Sequence, residues 1–317
     1  MGQKAPGKFY RKGISLIELF EMFPDEQTAE VWFEKNRWGK VGQPSSCPMC
    51  GCNDKISPVP SRKPLPYWCG SCRRNFSVKT NTIMHRSRLP LRKWVIAMFL
   101  WSTSLKGVSS MKLHRDLKIT QKSAWHLAHR LREAWKQGNF NMESQVEVDE
   151  TFVGGKRKNM PNSKRGKLTG RGAVGKTTVA GAKDRKTNQI SAKVVKGTDK
   201  ETLHGFIGER VSPEAEVYTD DHQSYNGLPN KHKVVKHSVS QYVNGQAHTN
   251  GIESFWSLLK KGYHGTFHHF SPKHLDRYVN EFVTRHNIRR HDTIDMMGNT
   301  VGLMVGKRLT YKQLIGG

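Results

Sequence analysis

The sequence has few acidic residues, no long hydrophobic run and no cysteine outside one short segment. Asp and Glu number 26 against 53 Lys and Arg, which leaves a formal charge of +27 over 317 residues. Basic residues spread along the whole chain favour nucleic acid as a partner over a membrane surface. The longest apolar run, at residues 94–101, is too short to cross a bilayer, and no signal-type segment lies near the N-terminus. These absences predict an intracellular, cytoplasmic protein.

The pattern of apolar residues changes along the chain and predicts a mixed α/β (α+β) protein. Helical spacing dominates before Gly138, with helices expected at 91–103, 108–117 and 120–135. Short β-branched runs follow, and they alternate with helical segments in the manner of an α/β or α+β domain. The five regions expected are 1–38 (helical lead-in), 39–80 (the cysteine-bearing segment), 88–138 (a helical region), 144–291 (the domain of strands and helices) and 292–317 (C-terminal tail).

All five cysteines fall within 26 residues, in a pattern typical of tetrahedral zinc. Two C-x2-C pairs are separated by 18 residues, and four protein thiolates leave no position open for water, so the zinc is expected to be structural. Cys52 is the spare cysteine. Gly51 and Gly70 each follow a ligand, where turns of this kind often need a positive φ. The predicted zinc ligands are Cys47, Cys50, Cys69 and Cys72.

Aromatic and cationic residues flank the second cysteine pair. Arg73 and Arg74 are candidates for contacts with a DNA backbone, together with Trp68 and Phe76. The alternative is that Trp68 and Phe76 form the small core of the ribbon.

The segment 108–135 has the layout of a helix-turn-helix. Thr120 is placed as the N-cap of its second helix, and the first turn carries Gln121, Lys122 and Ser123, which are side chains that contact base edges and phosphates. A three-helix connector with a solvated basic face is the alternative interpretation.

Three carboxylates stand out in this basic sequence. Asp149 lies inside a predicted strand, Asp220 ends another, and Glu253 lies in the first turns of a predicted helix. Hard oxygen ligands of this kind hold the two Mg²⁺ or Mn²⁺ ions of phosphoryl transfer on DNA. Each carboxylate alone could instead be an ordinary partner for Lys or Arg, but the three contexts together favour a catalytic metal site.

Two further features near these residues are less specific. The segment 156–171 is basic and almost free of apolar residues, which predicts a mobile loop when DNA is absent. Four histidines near Glu253 could contact DNA or assist proton transfer, although solvated or core histidines are commoner. They are His248, His264, His268 and His269.

Nearly the whole chain resembles the bacterial insertion-sequence transposases of the DDE type that carry an N-terminal zinc ribbon. The resemblance rests on long, ordered motifs: CPMCG, YWCGSCRRNFSVKTNTIM, VEVDETFVGGK, VYTDDHQSY and HTNGIESFWSLLKKGYHGTF. It implies an RNase H-like catalytic fold, divalent-metal catalysis, cleavage at terminal inverted repeats, joining to target DNA, a location at the bacterial nucleoid, and a homodimer or larger synaptic complex.

Matching the motifs residue by residue assigns Asp149, Asp220 and Glu253 as the catalytic metal ligands. The third position varies in this family, and Asn250 lies one turn before Glu253 as a rival. Asp221 stands where a small residue is expected, which makes it an accessory candidate. Lys260 would lie two helical turns beyond Glu253, and together with Lys261 it is a candidate for contact with DNA.

Two other functions share these features. A DNA-binding regulator descended from a transposase would keep the carboxylates without turnover. A metal-dependent nuclease that cuts DNA without joining it would use the same ligands.

Overall fold

The computed structural model describes residues 12–136, 138, 141–155, 157–166, 173–235 and 249–316. Parts of the predicted basic loop, and His248, lie outside these residues. The chain divides into two compact units, Met1–Lys136 with Ile288–Gly317, and Gln137–Asn287. Residues 292–317, predicted as a tail, therefore belong to the same unit as the N-terminal residues.

The helices of the described residues are α1 (Leu16–Met22), α2 (Glu26–Trp38), α3 (Leu91–Thr103), α4 (Ser110–Leu117), α5 (Gln121–Ala134), α6 (Asn162–Arg165), α7 (Lys200–Gly208), α8 (Asn250–Gly262), α9 (Leu275–Asn287), α10 (Thr293–Met304) and α11 (Tyr311–Ile315). The strands are β1 (Ile56–Pro58), β2 (Tyr67–Cys69), β3 (Arg74–Phe76), β4 (Gln145–Val153), β5 (Thr177–Asp184), β6 (Ile190–Val195), β7 (Glu216–Asp220) and β8 (Lys231–Val235).

Helix α3 forms the centre of the first unit because it is apolar on nearly every side. Trp94 and Trp101 of α3 are fully buried, and the ring of Trp101 meets that of Trp135 edge-on at 5.8 Å. Helix α10 adds Met297 and Met304 to the same core. The predicted helix at 91–103 is confirmed, whereas α10 was not predicted, since it lies in the segment taken for a tail.

The cysteine-bearing part of the first unit is a small antiparallel sheet in the order β1-β2-β3. Tyr67 and Phe76 stack within it at 5.6 Å, and Trp38 packs edge-on against both rings. The Tyr67 hydroxyl donates to Glu34 Oε1 at 2.6 Å, which links this sheet to α2. Phe76 is therefore a core residue, while Trp68 is only half-buried.

The second unit is built on a five-stranded sheet in the order β6-β5-β4-β7-β8. The pairs β6/β5 and β5/β4 are antiparallel, whereas β4/β7 and β7/β8 are parallel. Strand β8 was not predicted, because its sequence KHKVV lacks the alternation of apolar and polar residues that marks a half-buried strand.

Helices cover both faces of this sheet. Val179 of β5 packs with Ile252 and Trp256 of α8 in one cluster, to which α9 also contributes. Ala180, the next residue of β5, points to the other face and packs with Leu203 and other residues of α7. Because helices cover both faces, the first half of β4 is buried on each side, and its charged residues need partners.

None of the helices in the described residues is long and apolar enough to cross a membrane.

Candidate functional site

The four predicted zinc ligands converge. The Sγ atoms of Cys47, Cys50, Cys69 and Cys72 all lie within 4.8 Å of one another. Cys47 Sγ is 3.7 Å from Cys72 Sγ, and Cys50 Sγ is 3.7 Å from Cys69 Sγ. A tetrahedron with Zn–S bonds of about 2.3 Å has edges of about 3.8 Å. The thiols therefore fit a structural zinc ion.

The two cysteine turns use the same backbone geometry at matching positions. The residue after the second cysteine of each pair has a positive φ, 78° at Gly51 and 53° at Arg73. The prediction for Gly70 was wrong: Gly70 follows the first cysteine of its pair, and its φ lies outside the left-handed region. Arg73 adopts that conformation without being glycine, which indicates that the turn imposes it.

The close approach of the four thiols shifts the pKa values of Cys69 and Cys72 in opposite directions. Hydrogen bonding from the Cys72 backbone lowers the pKa of the Cys69 thiol to about 6. Burial, together with the neighbouring thiols, raises the pKa of Cys72 to about 12. Four thiolates at such short separations repel one another unless they share a bound cation. Cys52 does not belong to the cluster, and its thiol donates to Asp54 Oδ1 at 2.9 Å.

Strand register brings two of the predicted catalytic aspartates to the same level. Parallel pairing aligns Gln145 with Glu216 and Glu147 with Tyr218. Asp149 and Asp220 follow two residues later on their strands, at the carboxyl end of the parallel pair, where open sheets usually bind ligands. A backbone N–H from His222 donates to Asp220 Oδ1 at 3.1 Å.

Helix α8 brings the third carboxylate to the same region. Asp149 and Glu253 line one cavity of about 480 Å³. Glu253 is exposed, and its Oε1 accepts a hydrogen bond from the Thr249 hydroxyl at 2.8 Å. Lys260, Lys261 and His264 line the same cavity, so helical spacing puts Lys260 on the side of Glu253 as predicted.

Negative charge is crowded around Asp149. Burial, followed by the charges of Glu150, Asp220 and Glu253, raises the pKa of Asp149 to about 7. A divalent cation would remove this repulsion, and carboxylates are the oxygen ligands that Mg²⁺ and Mn²⁺ use. The four carboxylates do not form a compact ligand set, because among the described residues only the cysteine group has every ligand atom within 4.8 Å.

Glu147 connects two elements of the candidate site, a position that the sequence did not predict. It is 1% exposed, and its Oε1 accepts from Arg185 Nε at 2.9 Å. Its Oε2 accepts from the backbone N–H of Ile252 at 2.9 Å, which is one of the unpaired donors in the first turn of α8. Glu147 therefore ties the start of the helix that carries Glu253 to the strand that carries Asp149. The signal in the sequence was a second acidic residue two positions before Asp149, on the same strand face.

Glu150 lines the cavity too, as its third carboxylate beside Asp149 and Glu253, and was not assigned either. The hydroxyl of the buried Tyr225 donates to Glu150 Oε2 at 2.5 Å. Burial raises the pKa of Glu150, although the Tyr225 hydrogen bond opposes this effect.

The rival candidate Asn250 and the accessory candidate Asp221 are both exposed. Asn250 is the exposed first residue of α8. Asp221 is exposed, and neither it nor Asn250 is among the residues lining the cavity of Asp149 and Glu253. Asp220 is not among those lining residues either, and its charge is one of those that raise the pKa of Asp149. His268 and His269 are exposed too.

The predicted helix-turn-helix has the expected helices, and Thr120 caps α5 by accepting from the Ser123 N–H. Gln121 and Lys122 are exposed, as contact with DNA requires. The Lys122 ammonium, however, lies 4.5 Å from the ring centre of Tyr311 in α11. The C-terminal helix thus packs beside the first turn of α5. Arg73 and Arg74, at the start of β3, are exposed too. Among the described residues, neither of them lies over an aromatic ring.

Comparisons with known proteins relate this chain to proteins of transposable elements. The family described as ISXO2-like transposase domain matches residues 141–287. A Halobacterium salinarum protein described as an uncharacterized protein in transposable element ISH50 is 27% identical over 258 residues, which cover 77% of this chain and 86% of the relative. A Haemophilus influenzae protein described as an uncharacterized transposase-like protein is 31% identical over 97 residues, which cover 30% of this chain and 77% of the relative.

Proposed function

The chain belongs to the DDE transposase family of insertion sequences, and from this premise we propose that it binds the terminal inverted repeats of its element, cleaves the DNA strands there and joins them to target DNA. The carboxylate cavity on the second unit is the proposed active site. Holding two DNA ends at once calls for a homodimer or larger synaptic complex, and the proposed place of action is the bacterial nucleoid.

The proposed catalytic fold is RNase H-like. The support is the strand order β6-β5-β4-β7-β8, in which an antiparallel meander continues into parallel strands. Helices on both faces of the sheet agree with this fold, as does the position of Asp149 on the central strand.

The observation that carries the proposal is the convergence of carboxylates from three separate elements. Asp149 and Asp220 each lie two residues beyond the parallel pairing of β4 with β7, and Glu253 shares the cavity of Asp149. These three side chains are the proposed ligands of Mg²⁺ or Mn²⁺. When bound, a pair of such ions stabilises charge on the attacking and leaving oxygens of an in-line displacement. Crowded carboxylates alone would repel the DNA phosphate.

Basic residues are proposed to hold the DNA. Lys260 and Lys261 line the cavity wall and would contact phosphates beside the scissile bond. Gln121, Lys122 and Ser123 of α5, with Arg73 and Arg74 of the zinc-binding sheet, would bind DNA away from the cavity.

The deciding experiment measures strand transfer on labelled DNA that carries the element's own ends, with Mg²⁺ or Mn²⁺. Asp149→Asn and Asp220→Asn are expected to lower cleavage by about 1000-fold or more while DNA binding persists, since the carboxylates serve the metals. Asp221→Asn is the matched control, because Asp221 is exposed and adjacent to Asp220. It should stay within about threefold of the unaltered protein.

Retained cleavage in Asp149→Asn would overturn the catalytic assignment. Cleavage by the unaltered protein without joined products would indicate a nuclease. Binding of the correct ends with no cleavage would indicate a DNA-binding regulator.

A further inference from the structure

Trp256 contacts the proposed metal ligand Asp149 directly. Its indole Nε1 donates to Asp149 Oδ2 at 3.0 Å. The side chain is 3% exposed and otherwise packs in the apolar cluster beneath α8. Its one polar atom therefore lies against the carboxylate at the wall of the cavity, which Trp256 also lines.

Gly181 makes room for this contact. It lies directly opposite Asp149 in the antiparallel pair β4/β5. A Cβ atom at Gly181 would come within 2.6 Å of both Cζ2 and Cη2 of Trp256. Gly181 lies in a regular strand outside the left-handed region, so its backbone does not require glycine. The requirement comes from the indole ring, which occupies the space over the sheet that a side chain would fill.

An indole N–H can only donate, so Trp256 cannot bind a metal ion itself. It can hold one carboxylate oxygen still, which leaves Oδ1 as the oxygen that the indole does not bind. Hydrogen bonds of this kind orient metal ligands, and their loss typically costs tenfold to a hundredfold in metal affinity. We propose that Trp256 is a positioning residue that holds Asp149 through Oδ2, so that Oδ1 is presented to the catalytic metal, with Gly181 providing the space. This inference rests on the proposed function, in which Asp149 binds that metal.

The alternative explanation is purely structural: Asp149 satisfies the buried indole N–H and has no effect on metal binding through it. The two explanations predict different metal affinities for a variant that lacks the indole N–H. If Trp256 only packs, a variant that keeps an aromatic ring without the N–H will bind the metal normally. If Trp256 positions Asp149, that variant will bind the metal more weakly even when it folds.

The test uses the full-length, zinc-loaded protein and Mn²⁺ as the probe, with affinity measured by titration calorimetry. Trp256→Phe and Gly181→Ala should each weaken Mn²⁺ binding by about tenfold, the first by removing the donor and the second by displacing the ring. Phe255→Leu is the control, because Phe255 is a buried neighbour in the same helix without a polar atom. It should leave the affinity unchanged within about twofold.

A spectroscopic readout keeps the inference testable if a variant folds poorly. The protein has eight tryptophans, and Trp256 is the one that lies between residues 137 and 287. In protein labelled with 5-fluorotryptophan, the ¹⁹F resonance lost in Trp256→Phe identifies this residue. Low Mn²⁺ concentrations should broaden that resonance before the others, and Asp149→Asn should abolish the selective broadening.

Normal Mn²⁺ affinity in a folded Trp256→Phe variant, combined with lost affinity in Asp149→Asn, would overturn the inference and leave the proposed function standing. Normal affinity in Asp149→Asn would overturn both. Broadening of the Trp256 resonance that persists in Asp149→Asn would also contradict the positioning role.

Discussion

The two candidate metal sites obtain their ligands in different ways. The zinc site takes four thiols from two short turns within residues 47–72, and their sulfur atoms already lie within 4.8 Å of one another. The carboxylate site would take its ligands from β4, β7 and α8, which are spread over residues 145–262 of the chain, and the ligand atoms of these side chains lie farther apart than the four thiols. A site built from local turns depends mainly on its own ligands. A site built from distant elements also depends on the residues that hold those elements together.

The largest expected effect is loss of the zinc site. Cys69→Ser should bind less than about a tenth of the normal zinc and unfold the cysteine sheet, because zinc binding supplies the folding energy of such small units. Zinc content by atomic spectroscopy and circular dichroism would measure this. Cys52→Ser, the matched control, should keep its zinc, since Cys52 lies outside the cluster. Full zinc occupancy in Cys69→Ser would contradict the four-thiol site.

The next effect concerns the third carboxylate. Glu253→Gln should reduce strand cleavage by about 100-fold or more, whereas Asn250→Ala should stay within about threefold, because only Glu253 lines the cavity. Cleavage of end-labelled DNA would compare the two variants. The reverse result would make Asn250 the ligand and show that the helix turns on binding DNA or metal.

Glu147 tests whether the carboxylate site depends on how its elements are held together. Glu147→Gln should lower the free energy of unfolding of the second unit by about 3 kcal/mol, because it removes the buried negative charge that pairs with Arg185 and weakens the cap of α8. Denaturant unfolding measures this loss, and cleavage activity should fall with it. Glu143→Gln, at an exposed position of the same segment, should change stability by less than about 0.5 kcal/mol. Equal stability of the two variants would refute the proposed role of Glu147 in holding α8.

The smallest effect is a pH dependence at Asp149. Its pKa in the folded, Mg²⁺-free protein is raised to about 7 from a usual 3.8, so protonation favours the folded state. Stability from this group is complete below the unfolded pKa and is lost as the pH rises through about 7. Asp149→Asn carries no charge and should therefore be more stable than the unaltered protein near neutral pH by about 1–2 kcal/mol, and by less near pH 5.

Thermal unfolding at several pH values without Mg²⁺ would measure this difference. A constant difference between Asp149→Asn and the unaltered protein at all pH values would mean that burial and the neighbouring carboxylates do not raise the pKa of Asp149 in solution.

Local patterns predicted the fold best where the structure is local. Thr120 caps α5 as expected, helix 91–103 is confirmed, and the cysteine spacing led directly to the cluster. Strand β8 and helix α10 were missed because burial of their residues comes from distant segments. The three predicted catalytic carboxylates approach one another in the second unit, but their roles as ligands remain a prediction.

The partners of the carboxylates could not be predicted for the same reason. Nothing near Trp256 in sequence indicates that it meets Asp149, and nothing near Ile252 indicates that Glu147 caps its helix. These contacts follow from the pairing of β4 with β5 and the packing of α8 on that pair.

The sequence by itself determined the basic character of the protein, the zinc turns and the identity of the acidic residues, because charge, short turns and residue type are properties of nearby residues. Only the tertiary structure decided which oxygens and donors meet. The parallel pairing of β4 with β7 put Asp149 and Asp220 just beyond the end of the same ladder. The absence of a side chain at Gly181 admitted the Trp256 ring, and a buried Glu147 joined helix to strand. Contacts of this kind depend on packing between segments far apart in the chain, where a shift of one residue would turn each side chain to the opposite face.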